Sequence, residues 1–367
     1  MRKSERDVLD LLLANTHMTV SASLRLLAQY PESAAVFRRF PALLKKAGKR
    51  RRKALEEGVT VPQILIVSTT QRCNLTCRGC YSAGRGLAPE SELSEEKVQG
   101  ILAEAKDLGV SMVLLAGGEP LLSRTWLEAL GAEPDLLGMV FTNGTLLTDE
   151  MADWFAAHRH IVPLISLEGE RDKTDARRGA GVYDQARAGM KKLLANRLPY
   201  GVSVTLTREN LDEALADRFS EDLIQQGCRL FVYVEYVAVE EGTRDLLLSA
   251  AQIERIVEFI EARLDCPDAV YVAFPGDESL FDGCLAAGRG FVYLQENGDL
   301  APCPFAPFSD VSLKDTDLRK ALASPLLRAI RENHELFKEG EGGCTLWSNR
   351  DRLEDLIGLT SGPTFGF

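Results

Sequence analysis

The spacing of apolar residues along this chain changes near residue 58 and again near residue 266, and the two changes divide it. Through about residue 58 the period is helical. "DVLDLLLANT" and "SASLRLLAQY" carry apolar side chains three and four apart, and "FRRFPALLKKAGKRRRKALEEG" continues the segment. From Pro62 short β-rich runs alternate with helical ones. "QILIVSTT", "SMVLLAGG", "LGMVFTNG", "IVPLISLEG", "YGVSVTLT" and "RLFVYVEYV" read as strands, each followed by a helical stretch. Six such units predict an α/β fold with a parallel sheet, either open or curled into a partial (β/α)6 TIM-type barrel. After about residue 266 the alternation stops. "AVYVAFPGDE" is strand-like, "GFVYLQENGDLAPC" reads as a hairpin turning at Asn297-Gly298, and two short helical runs follow. The expected organisation is a helical, partly basic segment over 1–58, a barrel over 59–265 and a small C-terminal unit over 266–367.

Composition narrows the choice of function. A length of 367 residues allows one large domain with smaller parts, and a net charge of −11 argues against general nucleic-acid binding. No apolar run reaches the eighteen residues of a spanning helix, and the opening stretch has acids inside its apolar run. Together with the lack of a small-residue cleavage site, this predicts a cytoplasmic protein. One stretch runs against the acidic balance: seven of the nine residues from Lys45 to Lys53 are basic, close to Phe37, Phe40, Leu43 and Leu44. It reads either as a solvated helix face or, over residues 37–53, as a peripheral contact with an anionic membrane or acidic partner.

Eight cysteines in a reducing compartment point to metal ligands, catalytic thiols or packed side chains in preference to disulfides. Three of them, Cys73, Cys77 and Cys80, lie in "CNLTCRGCY" with C-x3-C-x2-C spacing, in the loop after the first strand. Ligands of parallel sheets sit at such carboxyl ends. Structural zinc wants four ligands, and no His or Cys follows within forty residues of Cys80. Three thiolates on an iron–sulfur cubane leave one iron open for a substrate or cofactor. Cys228, among apolar residues, reads as a packed hydrophobe, and His158 and His160 as surface or capping residues.

This cysteine spacing just past the first strand of a βα repeat resembles the radical SAM superfamily. The resemblance implies that the open iron chelates S-adenosylmethionine (SAM). One electron from the [4Fe-4S] cluster then releases a 5′-deoxyadenosyl radical that abstracts hydrogen from substrate. "AGGEP", with Gly117, Gly118, Glu119 and Pro120, is similar to the family's glycine-rich motif at the methionyl amine, where glycine admits close backbone approach. Thr142 and Asn143 in "FTNGTLL" and the segment "ISLEGERDKTDARRGAGVYD" resemble the next strand ends, with Glu168 standing where Asp is usual. By the same resemblance Ser166, Arg178 and Ser203 lie near the SAM ribose or carboxylate, and Glu168 belongs to the same cofactor-binding set. One departure is Gly79, since the family often carries an aromatic residue before the third cysteine, near the adenine. Glu235 and Tyr236 on the sixth strand lie where a barrel holds its substrate, and strand alternation turns one of them inward. Asp277 in "FPGDES" is the third candidate for contact with substrate.

Cys284, Gly298 and Cys303 follow a C-x13-G-x4-C pattern that resembles the opening of SPASM and twitch extensions, and Cys344 lies further on in "GGCTLW". The seven-cysteine run of a full SPASM unit is absent, so the resemblance implies a shortened, twitch-like unit with one auxiliary [4Fe-4S] cluster. Its fourth ligand is left open between Cys266, a non-cysteine side chain and the substrate itself. The implied partners are a reductant such as flavodoxin or ferredoxin and a peptide or small-molecule substrate; the alternatives are a lipid or membrane-associated substrate, or a non-catalytic iron–sulfur electron carrier on the same fold, against which the SAM-facing motifs argue.

Overall fold

A computed structural model describes residues 30–83, 92–274, 284–333 and 344–349, the side chain of Phe37 excepted. The strands are β1 (Ile64–Ser68), β2 (Met112–Ala116), β3 (Leu137–Thr142), β4 (Ile161–Leu167), β5 (Tyr200–Leu206), β6 (Cys228–Glu235), β7 (Val270–Phe274), β8 (Phe291–Leu294) and β9 (Leu300–Ala301). They form one sheet in the order β7-β6-β5-β4-β3-β2-β1-β8-β9. All neighbours are parallel except the β8–β9 hairpin. The parallel alternation was legible because strands covered on one side by helices read as short apolar runs: β4 and β5 are buried at six of seven positions each.

Two features differ from the expected organisation. β7, placed after the break in alternation, pairs in parallel with β6 and extends the barrel sheet as a seventh strand. β8 follows β7 in the chain yet joins the opposite edge, in parallel with β1. The strands on either side of residue 266 thus share one sheet. The hairpin turn falls at Asn297-Gly298 as expected, with Gly298 at φ +92°. No β7–β9 pairing closes the sheet among the described residues.

Among the described residues the first helices are α1 (Pro31–Phe37), α2 (Phe40–Glu56) and α3 (Glu95–Leu108); the helical runs "DVLDLLLANT" and "SASLRLLAQY" lie outside those residues but for Tyr30. Ser94 caps α3 by accepting from the Lys97 amide, Gly109 ends it at φ +111°, and Val98, Ile101, Leu102, Ala105 and Leu108 form its buried stripe. α2 carries the basic run. Its Phe40, Leu44, Ala47, Arg51 and Ala54 are buried, while Lys45, Lys46, Lys49, Arg52 and Lys53 are exposed. Leu43 packs beside Phe40 and Val162. The apolar side chains Phe40, Leu43 and Leu44 that suggested membrane contact are therefore turned against the protein, and the basic side chains form a solvated face. Arg51 is the exception: it is 1% exposed, its Nη1 donates to Gly109 O, and burial pulls its guanidinium down to about 10. Among the described residues no helix is long and apolar enough to cross a membrane.

The helices that serve the site are α4 (Arg124–Gly131), α5 (Asp149–Ala157), α6 (Arg171–Arg178) and α7 (Val182–Ala195). They are followed by α8 (Leu211–Ala214), α9 (Asp217–Gln225), α10 (Ala250–Glu261), α11 (Leu318–Ala321), α12 (Pro325–Glu332) and α13 (Thr345–Ser348).

Candidate active site

The loop that carries Cys73, Cys77 and Cys80 leaves the carboxyl end of β1 and is fastened along most of its length. Gly118 N donates to Thr70 O at 2.7 Å and Glu119 N to Arg72 O at 2.9 Å, which staples the approach to Cys73 onto the end of β2. This contact explains the glycine pair. A Cβ on Gly117, at φ +111°, would lie 2.6 Å from Ser68 Oγ, and one on Gly118 would lie 2.2 Å from Arg72 O. Beyond Cys73, Asn74 Nδ2 donates to Thr145 Oγ1 at 2.8 Å and its Oδ1 accepts from Asn143 Nδ2 at 2.9 Å. Arg78 N donates to Arg177 O at 3.0 Å, and its guanidinium meets Glu209 and Asp245 at 3.1 and 2.7 Å. Gly79 N donates to Glu240 Oε2 at 2.9 Å. The ends of β2 and β3, the end of α6 and the loop after β6 thus all grip the cysteine loop.

All three cysteines are free thiols, Cys73 exposed and Cys77 and Cys80 half-buried. Burial pushes the Cys73 and Cys77 thiols up. Glu119 raises Cys73 further, and Arg178 and Arg177 pull Cys77 back down. Among the described residues no three His, Cys, Asp or Glu side chains stand close enough to share a single metal ion. A cubane places each thiolate on its own iron, and three free thiols on one fastened loop beside two arginines suit that donor pattern.

Glu119 is 1% exposed and has its carboxylate occupied by the protein. Oε1 accepts from Leu121 N at 3.0 Å and Thr142 Oγ1 at 2.7 Å, and Oε2 from Asn143 N at 2.8 Å. Burial raises its pKa, and these three bonds oppose the rise. The expected contact with an ammonium group is thus preceded by a structural duty, tying the end of β2 to the end of β3. Pro120 opens the short 3-10 turn that follows. Ser166 and Ser203 are register partners on β4 and β5, with their hydroxyls 3.1 Å apart. Glu168, also 1% exposed, receives Arg177 at 2.5 Å and Arg178 at 2.6 and 2.7 Å. Arg177 was not singled out by sequence, since the resemblance pointed to the second arginine of the pair.

Glu235 and Tyr236 are both buried. Alternation cannot separate them because β6 ends at Glu235 and Tyr236 already belongs to the following loop. Tyr236 donates to Thr243 Oγ1 at 2.7 Å, and its ring stands against Gly79. A Cβ there would lie 2.4 Å from the phenol oxygen and 2.9 Å from Cε2. An aromatic ring is therefore present beside this position, supplied by the loop after β6 in place of the cysteine loop. Asp277 lies outside the described residues.

The second cysteine set is itself brought together, around the β8–β9 hairpin. Cys303 and Cys344 are buried, Cys284 is half-buried, and the Cys303 and Cys344 thiols hydrogen-bond to one another. Burial, then Cys344 and Cys284, push the Cys303 thiol well up, whereas its bond to Cys303 draws Cys344 down. Glu235 lies within electrostatic reach of Cys344. Two contacts join this set to the first loop. The rings of Tyr81 and Phe305 meet edge-on at 5.5 Å, and Gln71 Nε2 donates to Glu296 Oε1 at 2.5 Å. Cys228 is buried, its thiol raised to about 12 by burial, in keeping with a packed role. His160, expected at the surface, is buried with Nε2 3.1 Å from Leu130 O.

The sequence model of the Radical SAM superfamily matches residues 67–218, which run from β1 through the cysteine loop to α9. The chain belongs to the radical SAM superfamily. It is 25% identical over 306 residues to the AdoMet-dependent heme synthase of Methanosarcina barkeri, covering 76% of this chain and 84% of that protein. It is 30% identical over 267 residues to the mycofactocin maturase MftC of Mycobacterium tuberculosis, covering 68% and 66%. In fold it is similar to Streptococcus suis SuiB bound to S-adenosylmethionine, with a TM-score of 0.62, 18% identity and coverage of 78% and 72%. The open nine-stranded sheet is thus the partial barrel of radical SAM proteins, and the chain is an enzyme of that superfamily. Membership implies SAM and one [4Fe-4S] cluster as cofactors.

Proposed function

We propose that Cys73, Cys77 and Cys80 hold the SAM-cleaving [4Fe-4S] cluster and that Cys284, Cys303 and Cys344 hold an auxiliary [4Fe-4S] cluster facing a peptide or small-molecule substrate. When bound, the first cluster and SAM supply a 5′-deoxyadenosyl radical that takes a hydrogen atom from the substrate. The chain's own residues supply position. Gly117 and Gly118 hold the cysteine loop against β2, and Glu119 orients Thr142 and Asn143 at the rim. Ser166, Ser203 and Arg178 meet the SAM ribose and carboxylate, with Glu168 fixing Arg178. Tyr236 covers the Gly79 side of the loop against water. Glu235, at the end of β6 and within electrostatic reach of Cys344, faces the substrate. The auxiliary unit follows β7, and a flavodoxin or ferredoxin delivers the electron.

The observation that supports the two-cluster reading is the gathering of Cys284, Cys303 and Cys344 into one group, linked to the cysteine loop through Tyr81 and Phe305. The relatives include both substrate types, a heme synthase and a mycofactocin maturase. Iron and sulfide counts after anaerobic reconstitution test the reading. Two cubanes give about eight of each per chain, falling to about four in Cys303→Ser. A wild-type count of about four, unchanged by that substitution, removes the auxiliary cluster.

A further inference from the structure

Beside Cys77 and Cys80 two guanidinium groups share one carboxylate. Arg177 and Arg178 both reach Oε1 of Glu168, Arg177 through Nη1 at 2.5 Å and Arg178 through Nε and Nη2 at 2.7 and 2.6 Å. Their side chains are only 14% and 10% exposed, so solvent screens the surplus positive charge poorly. Arg178 has a second buried carboxylate, Glu119, in electrostatic reach; both guanidinium groups act on Cys77, Arg178 the more strongly, and Arg177 acts on Cys80 as well. The Nε of Arg177 is buried and makes no hydrogen bond. A buried N–H donor without an acceptor is unfavourable, so a site of this kind suits an anionic acceptor nearby. Its backbone is fixed as well: Arg177 O accepts from Arg78 N at 3.0 Å, between the second and third cysteines. The guanidinium is therefore anchored at both ends beside that side of the loop.

We propose that Arg177 sets the reduction potential of the SAM-binding cluster by presenting a fixed, buried positive charge to its Cys77–Cys80 side. The inference rests on the reading that these thiols hold an iron–sulfur cluster. Reduction adds one negative charge to the cluster, and a cation held in a poorly screened site favours the reduced form, raising the potential. The position is open to substitution because Glu168 keeps Arg178 as its partner when Arg177 is replaced.

The test is an EPR-monitored dithionite titration of the reconstituted full chain, without SAM, with Cys284, Cys303 and Cys344 intact. Arg177→Met is expected to disfavour the reduced SAM-binding cluster by about tenfold, a fall of about 59 mV for a one-electron couple. Arg177→Lys, which keeps the charge, is expected to recover most of the fall. Should Arg177→Met load poorly, Arg177→Gln is titrated in its place, with the potential read on the loaded fraction. Unchanged potentials in loaded variants overturn the proposal and leave the cluster assignment intact, as does a shift that appears only after SAM is added. Failure of the wild-type chain to take up iron and sulfide overturns the cluster assignment itself.

Discussion

Replacing Gly118 with alanine adds one methyl group where the structure has no space for it. The new Cβ would lie 2.2 Å from Arg72 O, 2.7 Å from the Arg72 carbonyl carbon and 2.8 Å from Gln71 O. These are backbone atoms of the segment entering Cys73, so relief requires the loop to move off β2 and no side-chain rotation can substitute. That movement also strains the bonds from Gly118 N to Thr70 O and from Glu119 N to Arg72 O. Overpacking costs about 1–3 kcal/mol, and two hydrogen bonds about 1 kcal/mol each. The expected loss is about 3–5 kcal/mol, a large part of the roughly 5–15 kcal/mol that holds a domain folded. Urea denaturation before and after iron loading measures it, with a lower midpoint and reduced iron uptake expected. Gly100→Ala is the control. That residue lies exposed on α3 with nothing within 4 Å of an added Cβ, and the substitution should stabilise by about 0.5–1 kcal/mol. A Gly118→Ala chain within about 1 kcal/mol of wild type and fully loaded with iron would refute the claim that the glycine pair serves backbone packing.

Two further outcomes follow from buried charge. Glu168→Gln leaves Arg177 and Arg178 buried without their shared carboxylate and should cost about 3–5 kcal/mol in urea denaturation; a loss below about 1 kcal/mol would contradict the pairing described. Burial holds the His160 imidazole below its usual value, so the folded chain keeps it neutral where the unfolded chain binds a proton. The stability it contributes is full above the unfolded value of about 6.5 and declines as pH falls below it. The urea midpoint should fall between pH 7.5 and 5.5, and less so in His160→Gln; equal slopes in both chains would count against it.

Much of this was legible in the sequence, and what was not has physical causes. Buried parallel strands read as short apolar runs, so "ILIVS" and its successors announced the sheet. β7 falls outside the alternating pattern because "LDCPD" before it breaks the helical period, and nothing local shows that a strand will join an existing sheet edge. The edge chosen by β8 is likewise a long-range fact, its pairing with β1 spanning more than two hundred residues. The cysteines, the glycine pair and the strand-end serines carried their meaning in spacing. Their duties did not: Glu119 serves backbone and side-chain donors of β3 and the turn after β2, and the glycines admit the loop that leads to Cys73. The ring beside Gly79 comes from Tyr236, far away in sequence, and Arg177 is set apart from Arg178 by its unpaired Nε and its backbone bond to Arg78.

The most direct test of the central claim is SAM cleavage by the anaerobically reconstituted chain with dithionite. The account predicts formation of 5′-deoxyadenosine and methionine, abolished in Cys77→Ala although Cys303 and Cys344 remain. A fully loaded wild-type chain that leaves SAM intact, or a Cys77→Ala chain that cleaves it equally well, would contradict the account.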